Sequence, residues 1–152
     1  MKESIKVIGI VEVILRNAKT GEILHREKGY NTIVAQGKQF MRRNIIQAAT
    51  QYNGNYLCLS GSSTTPSESE TTVPNLITPV KTANKSIVTE SGVEYMRWEA
   101  TWATTEANTT IYSVAIAEAN DGSGEWARYV FSSPINKSSD QELTIVYNIL
   151  LN

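Results

Sequence analysis

Over residues 5–16, apolar side chains occupy nearly every position rather than every second one. Val7, Val11, Val13 and Leu15 share one face of an extended chain, and Ile8, Ile10 and Ile14 share the other. A strand apolar on both faces belongs where both faces are covered, so this segment is expected as an inner strand or one lying under a helix. Asn17-Ala18-Lys19-Thr20-Gly21 is a turn signal, since Gly21 can take φ > 0 without a Cβ clash. Residues 23–28 return as a more polar strand carrying His25, Arg26, Glu27 and Lys28, which gives an N-terminal hairpin over 5–28.

After Gly29 the period changes. Asn31 or Thr32 offers an N-cap, and Ile33, Phe40, Met41, Ile45 and Ala48 recur at helical spacing, so the pattern predicts a helix over about 32–49. Gly37 lies on that apolar stripe. A glycine there costs about 1 kcal/mol of helix propensity and lets a neighbouring backbone come close. The opposite face holds Lys38, Gln39, Arg42 and Arg43.

The remainder alternates with a period of two. Residues 56–59 and, more weakly, 81–89 read as strands. Over 94–103, Met96, Trp98, Ala100 and Trp102 alternate with Tyr95, Arg97, Glu99 and Thr101. Residues 111–119 and 126–131 flank the hairpin turn Asn120-Asp121-Gly122. Pro134 is expected to break the sheet, and 142–151 to close it through Leu143, Ile145, Tyr147, Ile149 and Leu151. Between strands lies a Ser/Thr/Glu-rich loop over 61–72 with Pro66 inside it, and a loop of that length is usually functional or disordered. About seven or eight strands at hairpin spacing, with one helix, predict a mainly β single domain over 1–152. The expected architecture is an antiparallel β-sandwich or jelly-roll-like domain with one α-helix packed against it, its later strands lying over 55–151.

Composition narrows the function. At 152 residues the chain suits one domain, and 41% hydrophobic residues suffice for a core. A net charge of −1 supplies no global field for nucleic acid or an anionic membrane, so neither is expected as a partner. The single cysteine, Cys58, excludes an internal disulfide and a Cys-based zinc site. The opening Met1-Lys2-Glu3-Ser4 and the charged stretch after it lack the pattern of a signal peptide, so synthesis in a cytosol is expected, and the sequons at Asn84, Asn108 and Asn136 are read as chance.

Each chemical constellation has a plainer structural reading. His25 is the only histidine and no Gly-x-Ser-x-Gly elbow accompanies it, so it is read as a solvated surface residue. Cys58, between Leu57 and Leu59, is read as a buried small hydrophobe. The carboxylates of Glu118, Asp121 and Glu125 surround a flexible turn that could hold calcium, but their spacing is not that of an EF-hand, and an ordinary hairpin is the expectation. Trp98 and Trp102 fall on one strand face roughly 13 Å apart, suiting a sugar platform or a core. Met96 and Ala100 between them favour the core. Lys38, Arg42 and Arg43 form a basic helix face suited to phosphate or an acidic partner, or simply to solvent. No catalytic residue, cofactor or metal is expected, so the sequence is not read as an enzyme. Lys38, Arg42, Arg43, Pro66, Trp98 and Trp102 remain as candidates for a ligand or partner surface.

One ordered set of motifs reaches further. Tyr30-Asn31-Thr32-Ile33-Val34-Ala35-Gln36-Gly37 leads into the helix with an Asn-x-(Ile/Val)-x-x-x-Gly pattern. The strand Tyr56-Leu57-Cys58-Leu59 runs into a Thr-x-Pro-Ser-x-x-x-Thr loop over 64–71, and Trp126-Ala127-Arg128-Tyr129-Val130-Phe131 carries a hydrophobic-Ala-Arg-x-x-Phe strand. From about residue 29 to 147 this order resembles a diffuse group of phage virion proteins found among head and tail accessory and tail-fibre proteins. Cys58 stands where such strands often carry a small residue, and Ile116-Ala117 where a Gly-Leu-Phe run is common. The resemblance implies a virion structural protein, a head decoration or a tail- or fibre-associated component, made in the host cytoplasm and located in the virion. It also implies homo-oligomeric packing on its own copies and on other virion proteins. The alternatives are a carbohydrate-binding module or adhesin tip using Trp and Tyr side chains and, more distantly, a hydrolase with dispersed carboxylates.

Overall fold

A computed structural model describes residues 6–46 and 51–151. Its elements in chain order are β1 (Val7–Asn17), β2 (Ile23–Ile33), α1 (Ala35–Ile46), β3 (Tyr56–Ser60), β4 (Leu76–Thr82), β5 (Asn84–Glu90), β6 (Val93–Trp102), β7 (Thr110–Ala117), β8 (Glu125–Asn136) and β9 (Gln141–Leu151). The protein is mainly β, and these nine strands form one curled antiparallel sheet in the order β4-β3-β7-β8-β2-β1-β9-β6-β5.

Two features make the curl. β2 pairs with β1 along most of its length, but at Thr32 and Ile33 it pairs with β8 instead, so one strand serves two stretches of sheet. At the far ends, the edge strands β4 and β5 are consecutive in the chain, separated only by Ala83, whose N–H donates to the Asn55 carbonyl at 2.9 Å. The concave face is thereby filled from both stretches. Trp98 on β6 meets Trp126 on β8 with ring centroids 5.9 Å apart, and the Trp102 indole N–H donates to the Pro79 carbonyl at 2.8 Å. Val11, Val13, Leu143, Ile145, Tyr147 and Ile149 complete this core from β1 and β9.

Several elements differ from the sequence pattern. The second strand does not stop at residue 28. It runs to Ile33 because its backbone is taken up by β1 and then β8, and the helix therefore starts at Ala35. Asn31 is accordingly not an N-cap: its side-chain amide donates to the Tyr147 hydroxyl. The helix is described as far as Ile46, and the expected continuation to residue 49 lies outside the described residues. Residues 81–89 are two strands, not one, because the chain turns at the buried Ala83. Pro134 does not break the sheet. It lies within β8 where the β7–β8 register shifts between Ile111 and Ser113, a stretch where the ladder does not need its missing N–H.

Helix α1 packs on β8 through the stripe that carries Gly37. A Cβ at Gly37 would stand 2.2 Å from the Trp126 carbonyl oxygen and 2.7 Å from its Cα. Backbone cannot give as a side-chain tip can, so Gly37→Ala must lift the helix from the sheet. The expected cost is about 1–3 kcal/mol, the range of overpacked cores, read as a lower denaturation midpoint with an unchanged slope in urea. Phe40 then stacks on Tyr52 at 4.4 Å and touches Trp126 at 5.9 Å, which ties the helix to the 51–55 segment.

Candidate interaction surface

The residues singled out in the sequence do not converge. Trp98 and Trp102 are both buried, and their indole N–H groups donate to the carbonyls of Gly54 and Pro79 at 2.8 Å each. Pro66 is buried under the loop that carries it. The basic helix residues diverge. Arg43 lies over the Tyr52 ring, 6.0 Å from its centroid, while Lys38 reaches Glu68 at 3.4 Å. Lys38 and Arg42 also line a cleft of about 520 Å³ with Lys6, Met41 and Leu151. His25 is half-buried rather than solvated, because Glu27 holds it at 3.0 Å. Glu27 also accepts from the Tyr129 hydroxyl at 2.7 Å and the Ser132 N–H at 2.9 Å, and these backbone and side-chain bonds hold its carboxyl below the usual range against the effect of burial.

The acidic turn after β7 is likewise divided. Asp121 accepts from the N–H and hydroxyl of Ser123, whereas Glu118 turns inward to accept from Gly54 N–H and the Trp126 indole at 2.7 and 2.8 Å. Among the described residues no group of three or more His, Cys, Asp or Glu side chains is placed to hold a metal ion. None of their helices is long and apolar enough to cross a membrane.

Two other places carry the unusual chemistry. The first is a strap. Residues 61–75 lie against the outer face of β3, β7 and β8, where Val73 packs on Cys58, Ala115 and Ala117. The Ser60 hydroxyl donates to the Pro74 carbonyl at 2.5 Å, the Ser113 hydroxyl to Ser62 at 2.8 Å, and Glu125 N–H to Thr71 at 3.0 Å. At the centre the buried Arg128 donates to both oxygens of Glu70, Nε at 2.9 Å and Nη2 at 3.0 Å. That is a two-point match of guanidinium to carboxylate. Glu125 approaches the same Nε, with an oxygen 3.5 Å away, fully buried and without a geometric hydrogen bond to its carboxyl oxygens among the described residues.

One guanidinium between two carboxyls separates their protonation. Burial pushes the Glu125 acid up to about 8, the Glu70 carboxylate pushes it the same way, and Arg128 opposes both. Burial also acts to raise Glu70, but its bonds to Arg128 prevail and hold its acid below the usual range. At neutral pH, Glu125 is therefore the proton-bearing member of the pair. Cys58, buried nearby, has its thiol pushed up to about 12 by burial and then by Glu125 and Asp121, which leaves it unreactive at neutral pH.

The second place is the outer face of β2, β1, β9 and β6. The register sets out its rows: Tyr30, Ile10, Asn148 and Arg97 lie side by side, and the next row is Lys28, Glu12, Val146 and Glu99. Ile8 pairs with Leu150 at one end, and Ile14 with Thr144 toward the other. The sequence led to an expectation of cover on both faces of β1. The outer face is covered unevenly: Ile14 is buried at 6% exposure, Ile8 and Ile10 are half-buried, and Tyr30 beside them is 77% exposed. Helix α1 packs instead on β8. The sequence did carry this signal, in the apolar residues on both faces of β1, but it could not say that one cover would be missing from the chain itself.

Fold and surface together define a β-rich domain with one stapled loop and one sheet face that mixes charged side chains with the exposed ring of Tyr30. Compared with family profiles, with curated proteins and with solved structures, the chain matches none.

Proposed function

We propose that this chain is a structural protein of a phage particle, a head decoration or a tail- or fibre-associated component, which acts by packing against its own copies and neighbouring virion proteins. In this reading the curled sheet is a jelly-roll-like sandwich, and its work is contact rather than catalysis. The observation that carries the reading is the outer face of β1 and its neighbours, where Tyr30 is 77% exposed beside the half-buried Ile8 and Ile10. A large exposed aromatic ring beside partly exposed apolar side chains, rimmed by charged ones, suits a place where another protein sits. Repeated copies then turn weak contacts into a stable lattice.

The alternatives have less to stand on. A carbohydrate-binding module or adhesin tip drew on Trp98 and Trp102, and both rings are spent on the core. A hydrolase needs converging carboxyls open to substrate. Glu70 and Glu125 do converge, but both are held at the Arg128 guanidinium and the strap closes over them, with Glu125 fully buried.

Immunogold labelling of particles purified from cells that make the chain tests the proposal. Label at a discrete, repeated position on heads or tails is the expected result. A chain found wholly in the particle-free fraction would overturn it.

A further inference from the structure

We propose that the outer face of β2, β1, β9 and β6 is covered by the same face of a second copy, related by a two-fold axis that runs along the strands between β1 and β9. This deepens the assembly reading above and rests on it, since it names the partner and the geometry.

Rotation about a line parallel to the strands keeps each row at its own height and reverses its order. β2 of one copy then lies over β6 of the other, and β1 over β9. In the row Lys28, Glu12, Val146, Glu99, the lysine comes to face Glu99 of the second copy, and Glu99 comes to face that copy's lysine. Both side chains are exposed, and among the described residues neither forms an ion pair within its own chain. In the row above, Tyr30 comes to lie over Arg97 of the second copy. That guanidinium is already held on the sheet face by Asn148 at 2.8 Å and Glu90 at 2.5 Å, which presents it to an aromatic ring. At the end of the face Ile8 meets Leu150 of the second copy, apolar on apolar.

A partner of one charge sign would not suit this surface. Arg26 on the β2 margin is bonded to Glu12 at 2.9 Å, and Arg97 on the β6 margin to Glu90, so the charges left over are Lys28 on one margin and Glu99 on the other. One unpaired cation and one unpaired carboxylate on opposite margins meet their complements after a half-turn, as an isologous contact requires. The size also fits. Four strands about 4.8 Å apart and some eleven residues long at about 3.3 Å each span roughly 700 Å², close to the share of about 800 Å² that each partner contributes to a standard stable interface.

Sedimentation equilibrium of the full chain over a range of concentrations tests this. The wild type should show a monomer–dimer equilibrium. Lys28→Glu and Glu99→Lys should each weaken it by about tenfold or more, since each places like charges in contact at both symmetry-related positions. The double variant K28E/E99K should recover association to near the wild-type level, because the pairs re-form with signs exchanged. Tyr30→Asp should weaken association without touching the fold, given its exposure. A wild type that stays monomeric, single reversals without effect, or a double variant no better than the singles would each overturn the proposal. Its failure is separable from that of the virion reading. A chain that labels particles while the reversals leave its association unchanged defeats this geometry alone, and a charge-dependent dimer absent from particles defeats the virion reading alone.

Discussion

Replacing Arg128 by alanine should destabilise the protein by about 3–5 kcal/mol, the usual cost of removing one member of a buried ion pair. Three donated bonds disappear at once, two to Glu70 and one to the Ser113 hydroxyl at 3.3 Å. The side chain also leaves a void, because it is among the largest fully buried ones in the chain. What remains is Glu70 with no cation and a strap held by a few backbone bonds. The effect should therefore be larger on the strap than on the curled sheet beneath it. Limited digestion with a glutamate-specific protease, with products mapped by mass, should show early cleavage at Glu68 and Glu70 in the variant and not in the wild type. Arg128→Lys should recover only part of the loss, since an ammonium cannot make the paired contact to one carboxylate. A variant as stable as the wild type, with an uncut strap, would mean that Arg128 does not hold the loop.

The second large effect concerns pH. In the folded protein the Glu125 acid titrates near 8, whereas in the unfolded chain it titrates near its ordinary 4.5. Between those values the folded state keeps a proton that the unfolded state has lost. Stability must then fall as pH rises through this window, by on the order of 1.4 kcal/mol per unit, and level off above about 8. Glu70 works in the opposite sense. Its depressed acid contributes stability above the ordinary value that is lost as pH falls through its folded value, so Glu70 shares the acid limb with the likewise depressed Glu27, and Glu125 sets the neutral-to-alkaline limb. Urea denaturation from pH 5 to 9 should show the wild type weakening toward pH 8. Glu125→Gln, which keeps the shape and removes the titration, should be nearly flat over the same window and more stable than the wild type at pH 8. Parallel curves for the two proteins would show that Glu125 is not the group responsible.

The sequence was most legible where one local rule dominated. The alternation of Met96, Trp98, Ala100 and Trp102 places that strand and its inward face, because a period of two has a single meaning beside a core. Gly37 on an apolar helical stripe announces a close approach, and the Trp126 backbone makes it. Local rules misled where a distant strand took over. Asn31 and Thr32 look like helix caps, but β1 and β8 claim the backbone there first. Pro134 looks like a break, but the register shift in β8 absorbs it.

Arg128 is the clearest case of a residue whose role is invisible along the chain. Within Trp126-Ala127-Arg128-Tyr129-Val130-Phe131 it has the pattern of a solvent-facing position. It is buried because Glu70, 58 positions earlier, folds over it. It shares a face with Glu125, three residues away, only because the β7–β8 register shifts between Ile116 and Ala117, leaving Trp126 as the extra residue between paired positions. Spacing in the sequence carries neither fact. The second apolar face of β1 was visible, in Ile8, Ile10 and Ile14 opposite Val11, Val13 and Leu15, although Ile14 proves buried and the other two half-buried. Nothing local distinguishes cover supplied by a helix of the same chain from cover supplied by another molecule.

The claim on which the whole account turns is that this face is occupied when the protein is at work, and Tyr30 is its most direct reporter. Hydroxyl-radical footprinting of the intact chain at rising concentration should find the Tyr30 ring reactive when dilute and protected when concentrated, with Tyr56, on the far side of the curl, unchanged. A Tyr30 ring equally reactive at every concentration and within purified particles would contradict it.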